Sequence, residues 1–145
     1  MNRRGLVSAL IALTCAGAVR SLAVLAAPPT PDVIIAALES ELGVTEGQAK
    51  KGLGALLTLA QERLLPQDFD TLLKVMPYAD EYIQMARMQG VVVAPLEDGE
   101  SLRPIFARLG IDEAAAAEFA PTVLSVLQND EGLAEAHDLL AEALE

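Results

Sequence analysis

Apolar residues recur along most of this chain at three- and four-residue steps, the spacing of one helix face. The clearest case is Thr45 to Leu64, TEGQAKKGLGALLTLAQERL. Leu53, Leu56, Leu57, Ala60 and Leu64 fall on one stripe. Ala55 and Leu59 lie off it, so apolar surface nearly encircles the helix. A helix that is apolar all round sits in the middle of a bundle or in a membrane. The uncharged run Gly52 to Ala60 is shorter than the roughly 20 residues a bilayer span needs. The stretch is therefore expected to be the central helix of a small bundle. Thr45 suits its N-cap, Gln48 completes a capping box, and Val44 can staple onto Ala49 or the stem of Lys50.

The same reading predicts helices on either side. Thr30 can cap one that opens with Pro31 and Asp32, carries Val33, Ile34, Ala37, Leu38 and Leu42 inward, and stops at Gly43. Beyond Leu65-Pro66, a short helix over residues 67–75 turns Phe69, Leu72, Leu73 and Met76 inward and ends at Pro77. Another, over 80–88, carries Tyr82, Ile83 and Met85. Gly90 to Gly99 (GVVVAPLEDG) breaks the pattern. Its valines favour a strand, but Pro95 limits one and no partner strand is evident, which predicts a mobile inter-helix loop. Ser101 then caps a helix with Leu102, Ile105, Phe106 and Leu109, stopping at Gly110. Asp112 caps the next, through Phe119, which Pro121 is expected to kink or break before Val123, Leu124, Val126 and Leu127 continue the apolar face. After a turn over 129–132, a last helix places Leu133, Ala136, Leu140 and Leu144 inward. The fold class is thus all-α, a compact bundle of about six or seven short helices. Leu42-Gly43-Val44-Thr45-Glu46 recurs as Leu109-Gly110-Ile111-Asp112-Glu113. A duplicated helical unit and the reuse of common helix punctuation both account for it.

Glycines are the unusual feature of the central helix. Gly47, Gly52 and Gly54 each cost about 1 kcal/mol relative to alanine inside a helix. Gly52 and Gly54 either let a neighbouring helix approach closely or line a small cleft. With Leu56, Phe69 and Phe106 they form the candidate packing or cleft residues. Neither glycine belongs to a nucleotide motif. Gly47 and Gly52 have the G-x-x-x-x-G spacing, but Leu53 stands where a phosphate loop needs lysine. The Gly52–Gly54 pair lacks the strand and third glycine of a dinucleotide fold.

Charge narrows the partners. The chain has 10 basic and 21 acidic residues, a net charge of -11, and three of its arginines, Arg3, Arg4 and Arg20, lie near the N-terminus. Such a surface repels nucleic acid and anionic lipid and favours cationic partners. Five aromatics without tryptophan make a poor base-stacking platform.

The first residues read as an address. Met1 to Arg4 is basic, Leu6 to Val19 is apolar, and small residues follow at Ala16-Gly17-Ala18 and Val24-Leu25-Ala26. This predicts a secretory signal peptide over 1–26, cleaved after Ala18 or Ala26, and a single helical domain over 27–145 in the periplasm or medium. The alternative is a membrane anchor, against which Arg20 interrupts the apolar run. Cys15, the only cysteine, is lost at either cleavage site and is preceded by Thr14 and Ala12 rather than a lipoprotein pattern.

No catalytic, cofactor or metal residues are assigned from sequence. His137 is the only histidine, and no second His or Cys is available to complete a transition-metal site. Ser and Thr lack a base at a recognisable spacing. Glu97, Asp98 and Glu100 do not have calcium-loop spacing, and Asp68 and Asp70 point apart on a helix.

Leu42 to Pro77, LGVTEGQAKKGLGALLTLAQERLLPQDFDTLLKVMP, resembles the VcgC/VcgE family of uncharacterised bacterial proteins. The shared features are an LGV–small–QA segment, a GLGALL helix and a step containing proline and Asp-Phe. Phe106 to Leu144 is similar in its F-x-x-LG-I, F-x-P-x-V-L and LL-x-x-AL pieces. The chain departs from the pattern at Lys50, Lys51 and the turn over 129–132. The resemblance implies a small, exported, helical domain and carries over no activity, cofactor or site residue. Two functions are expected to compete. One is a non-catalytic protein-interaction or envelope scaffold domain. The other is a carrier of a small apolar or lipid-like ligand, held in a cleft beside Gly52 and Gly54.

Overall fold

The computed structural model describes residues 31–145, and these form seven α-helices with no strand among them. They are α1 (Pro31–Leu42), α2 (Glu46–Arg63), α3 (Pro66–Val75), α4 (Ala79–Met88), α5 (Arg103–Arg108), α6 (Glu113–Gln128) and α7 (Ala134–Leu144). Short 3-10 turns, Gly99–Leu102 and Glu131–Leu133, lead into α5 and α7. The expected leader over 1–26 and the Thr30 cap lie outside the described residues.

Helix α2 occupies the middle, with α1, α3, α4, α5 and α7 all packed on it. Every residue from Gly52 to Ala60 is buried, whichever way it points. That is the outcome of an apolar run without a polar face: no side of the helix gains by facing water, so neighbours cover all of it. Even Thr58 is inside, its hydroxyl donating back to the Gly54 carbonyl at 2.7 Å, which satisfies the one polar side chain the run contains. No helix of the described residues is long and apolar enough to cross a membrane.

The ends of the helices follow from local chemistry. At Thr45 both halves of the capping box form: Gln48 N–H donates to Thr45 Oγ1 at 3.2 Å, and Thr45 N–H donates to Gln48 Oε1 at 2.9 Å. Asp112 caps α6 by accepting from Ala115 N–H at 2.9 Å. Gly43 and Gly110 close α1 and α5 at φ of 68° and 80°, where a Cβ is strained. The two Leu-Gly corners touch, since the Gln48 amide donates to the Leu109 carbonyl at 3.0 Å. The helices they join pack crosswise: α1 lies on α6, and α2 on α5. Gln48 thus satisfies a helix start and ties two corners together. Gln48→Ala is expected to cost about 1–2 kcal/mol in urea denaturation, more than the loss of a cap alone in Thr45→Ala. Equal losses would show that the bond to Leu109 adds nothing.

Four expectations change. In α1 the buried face is Ile34, Ile35 and Leu38, while Val33 is 57% exposed. Three consecutive apolar residues leave the phase of the helix open, and packing in the bundle buries the second and third of them. Helix α6 runs unbroken through Pro121. The ring is exposed, so the deficit falls on the outer side of the helix and the buried side stays regular. Asp98, rather than Ser101, caps the step into α5, accepting from Ser101 N–H at 3.0 Å. The loop after Gly90 is irregular, as expected, but it is fastened down. Val91 and Leu96 are buried. Arg108 donates to the Val91 carbonyl at 2.6 Å, the Leu96 N–H donates to Glu62 at 2.5 Å, and Arg63 donates to the Glu97 carbonyl.

Candidate functional site

The glycine side of α2 is filled by the chain itself. An ideal Cβ on Gly52 would lie 2.5 Å from Phe119 Cζ and 3.3 Å from Phe106 Cε1. One on Gly54 would lie 2.5 Å from the Tyr82 carbonyl oxygen and 3.0 Å from Ala86 Cβ. The two glycines thus face different neighbours, an aromatic pair from α5 and α6 and the backbone of α4. The pair is itself in contact, with Phe106 and Phe119 ring centroids 4.8 Å apart and planes tilted by 32°. Among the five candidate residues the structure brings Gly52 and Phe106 together. Leu56 is buried on α2, and Phe69 is buried on α3, whose main neighbour is α7.

Phe119 and the Tyr82 carbonyl are the parts that pattern reading missed. One signal for Phe119 was present. The shift that lays Leu42 on Leu109 also lays Gly52 on Phe119, and a small residue and a large one at matching places are what a close contact between the two units requires. Nothing in the sequence points to a carbonyl of α4.

The titratable groups that remain are structural or surface groups. His137 Nδ1 lies 3.0 Å from the Asp138 carboxylate on exposed α7 surface. Glu46 and Lys50 pair one turn apart, and their hydrogen bond holds the carboxyl below its usual range and the ammonium above. In the acidic loop, Asp98 is engaged as a cap and Glu97 offers its carbonyl to Arg63. Among the described residues no three His, Cys, Asp or Glu side chains gather as a metal-holding group.

Tyr78 is the exception. Its hydroxyl is buried without a hydrogen-bond partner among the described residues, and its ring meets Tyr82 edge-on at 6.1 Å. Burial pushes its pKa up to about 12, with smaller contributions from Tyr82 and Asp130. The folded state therefore resists ionising Tyr78. This contribution is complete below the unfolded value near pH 10 and is lost as pH rises through about 12. Tyr78→Phe is expected to raise stability at neutral pH by about 1 kcal/mol, since it removes an unsatisfied hydroxyl. It should also flatten the fall in thermal midpoint between pH 10 and 12. A lower midpoint at pH 7 would mean that the hydroxyl is bonded.

The outer surface carries grooves. One of about 460 Å³ runs between α5 and α6 and is closed at one end by α7; Phe106, Ala116, Ala120, Leu124 and Leu144 make its apolar walls. Glu100, Arg103 and Glu113 stand at its rim, the first two paired at 3.4 Å. A second lies on α4 beside Met85 and Met88. Phe106 therefore faces Gly52 and Phe119 on the inside and this groove on the outside.

The family model described as "Protein of unknown function VcgC/VcgE (DUF2780)" matches residues 12–145. No curated protein and no solved structure matches the chain.

Proposed function

We propose a role for this chain from one premise: it belongs to the VcgC/VcgE family, proteins of unknown function. The role is that of an exported, non-catalytic protein-interaction domain at the cell envelope. The observation that carries it is the filled glycine side of α2. A carrier of an apolar ligand needs space beside Gly52 and Gly54, and the nearest atoms there are Phe119, Phe106, Tyr82 and Ala86. Apolar surface free to act lies outside instead, in shallow grooves and at Val33, Leu65, Met88 and Val93. Export rests on the basic start, the apolar run and the small residues of 1–26.

Native mass spectrometry of the protein isolated from its own envelope tests both halves. The expected result is a chain shortened to begin after Ala18 or Ala26, carrying a second protein in fixed stoichiometry. A full-length mass in the membrane fraction would overturn export. A lipid-like adduct in place of a protein would overturn the interaction reading and favour the carrier.

A further inference from the structure

Charge is unevenly spread over this bundle. Beyond Arg108 the sequence has no Lys or Arg, yet it has nine Asp and Glu. Helices α6 and α7 both lack a basic residue in the last turn. In α7 this runs against the helix dipole. Its C-terminal end is already the negative end, where a cation stabilises and an anion destabilises, and Glu142 and Glu145 stand there. Leu144, between them, closes the groove of α5 and α6. The rim itself adds Glu113 and Glu100, the latter paired with Arg103, so an apolar slot and an excess of acidic side chains meet at one place.

The slot has one further property. Pro121 has no N–H, so the Ala117 carbonyl one turn earlier lacks its helical donor. Both residues line the groove and both are exposed. Its walls thus offer apolar contact beside a helix carbonyl that lacks its usual donor. Ala116 and Ala120, one turn apart on α6, keep the wall low enough for another backbone to come near.

We propose that the groove between α5 and α6 docks a basic amphipathic helix of a partner protein, whose apolar side chains enter the slot and whose Lys or Arg residues face the acidic end of α7. The assignment rests on the interaction-domain reading above and names its site and partner chemistry. Helix-in-groove binding uses anchors at i, i+3, i+4 and i+7. A volume of about 460 Å³ suits a few such side chains. Charge complementarity selects the occupant. A second copy of this chain brings the same negative surface, and an anionic lipid surface is repelled.

The test uses a synthetic 18-residue peptide with leucine at those anchor positions and lysine elsewhere. Its binding to the purified protein is followed by fluorescence anisotropy. The controls are a scrambled peptide of the same composition and a glutamate version of the original. The lysine peptide should bind at least tenfold more tightly than either. Ala117→Trp, which fills the slot from an exposed position, should weaken it tenfold or more. Glu142→Lys with Glu145→Lys should weaken it about fivefold at low salt and reduce the salt dependence. Asp80→Lys with Glu81→Lys, at the α4 groove, should leave it unchanged. Equal binding of the scrambled peptide, or full binding to Ala117→Trp, would overturn the proposal. So would self-association of the protein that Ala117→Trp abolishes, because the occupant would then be a second copy. A partner recovered from the envelope that still binds Ala117→Trp overturns this site alone and leaves the interaction reading standing.

Discussion

Phe119→Ala should lower the stability of the fold by about 3–5 kcal/mol, the range for removing a buried aromatic ring. Domains of this size hold only about 5–15 kcal/mol in total, so the variant would sit near the edge of folding. The upper part of the range is expected because the space cannot close. Phe119 is 0% exposed, and the wall it covers is Gly52, which has no side chain to move into a void. On the other side Phe106, 3% exposed, is already packed on the ring and close to Gly52. The cost of a large-to-small change grows with the cavity that remains. In urea denaturation the midpoint should fall with an unchanged slope. A loss below about 1 kcal/mol would mean that the ring is not the wedge between α2 and α6. Phe119→Leu should retain much of the stability, since it leaves a smaller void.

Gly54→Ala is the second large effect, of opposite origin. A methyl group inside a helix ordinarily gains about 1 kcal/mol over glycine. Here it would stand 2.5 Å from the Tyr82 carbonyl oxygen. That oxygen is backbone and cannot rotate away, so α4 must move as a body along its extensive contact with α2. Overpacking of this kind costs about 1–3 kcal/mol, occasionally more. The repulsion outweighs the propensity gain, and the thermal midpoint should fall by several degrees. Gly52→Ala should be milder, because its obstacle is the edge of a ring that can tilt. At Gly47 a Cβ meets nothing within 4 Å, so Gly47→Ala should hold or raise the midpoint. A rise for Gly54→Ala matching that of Gly47→Ala would show that α2 and α4 are not in backbone contact.

Local rules made the helix ends legible. The Thr45 capping box, the Asp112 cap, Pro66 and the glycines at 43 and 110 involve neighbours in sequence, and each acts where it was expected. Burial of α2 was legible for the same reason, since a run with no polar face allows one placement. The Asp98 cap, three residues from the expected Ser101, is a local miss; most of what else was not legible depends on partners distant in the chain. Which of Val33, Ile34 and Ile35 is buried depends on the helices that α1 packs against, α6 and α2. The loop after Gly90 is fastened by Glu62, Arg63 and Arg108, whose reach no local pattern shows. Pro121 predicts a kink or a break when its lost donor is weighed without its position; on an exposed face the helix runs on past it. The Gly52 and Gly54 alternatives, close packing or cleft, turned on which residues faced them, and those lie in α4, α5 and α6.

The crosswise pairing of the two Leu-Gly corners bears on what half of this chain could build. In a two-fold dimer of identical units, a residue at the axis meets its own copy. Two copies of α1 and α2 arranged like this bundle would set Gly52 against Gly52 and leave the volume of the Phe119 ring empty. Two copies of α5 and α6 would set Phe119 against Phe119 and collide. Across the contact seen here a small residue meets a large one, a fit that one covalent chain carrying both can make and that either unit facing its own copy at that point would lose.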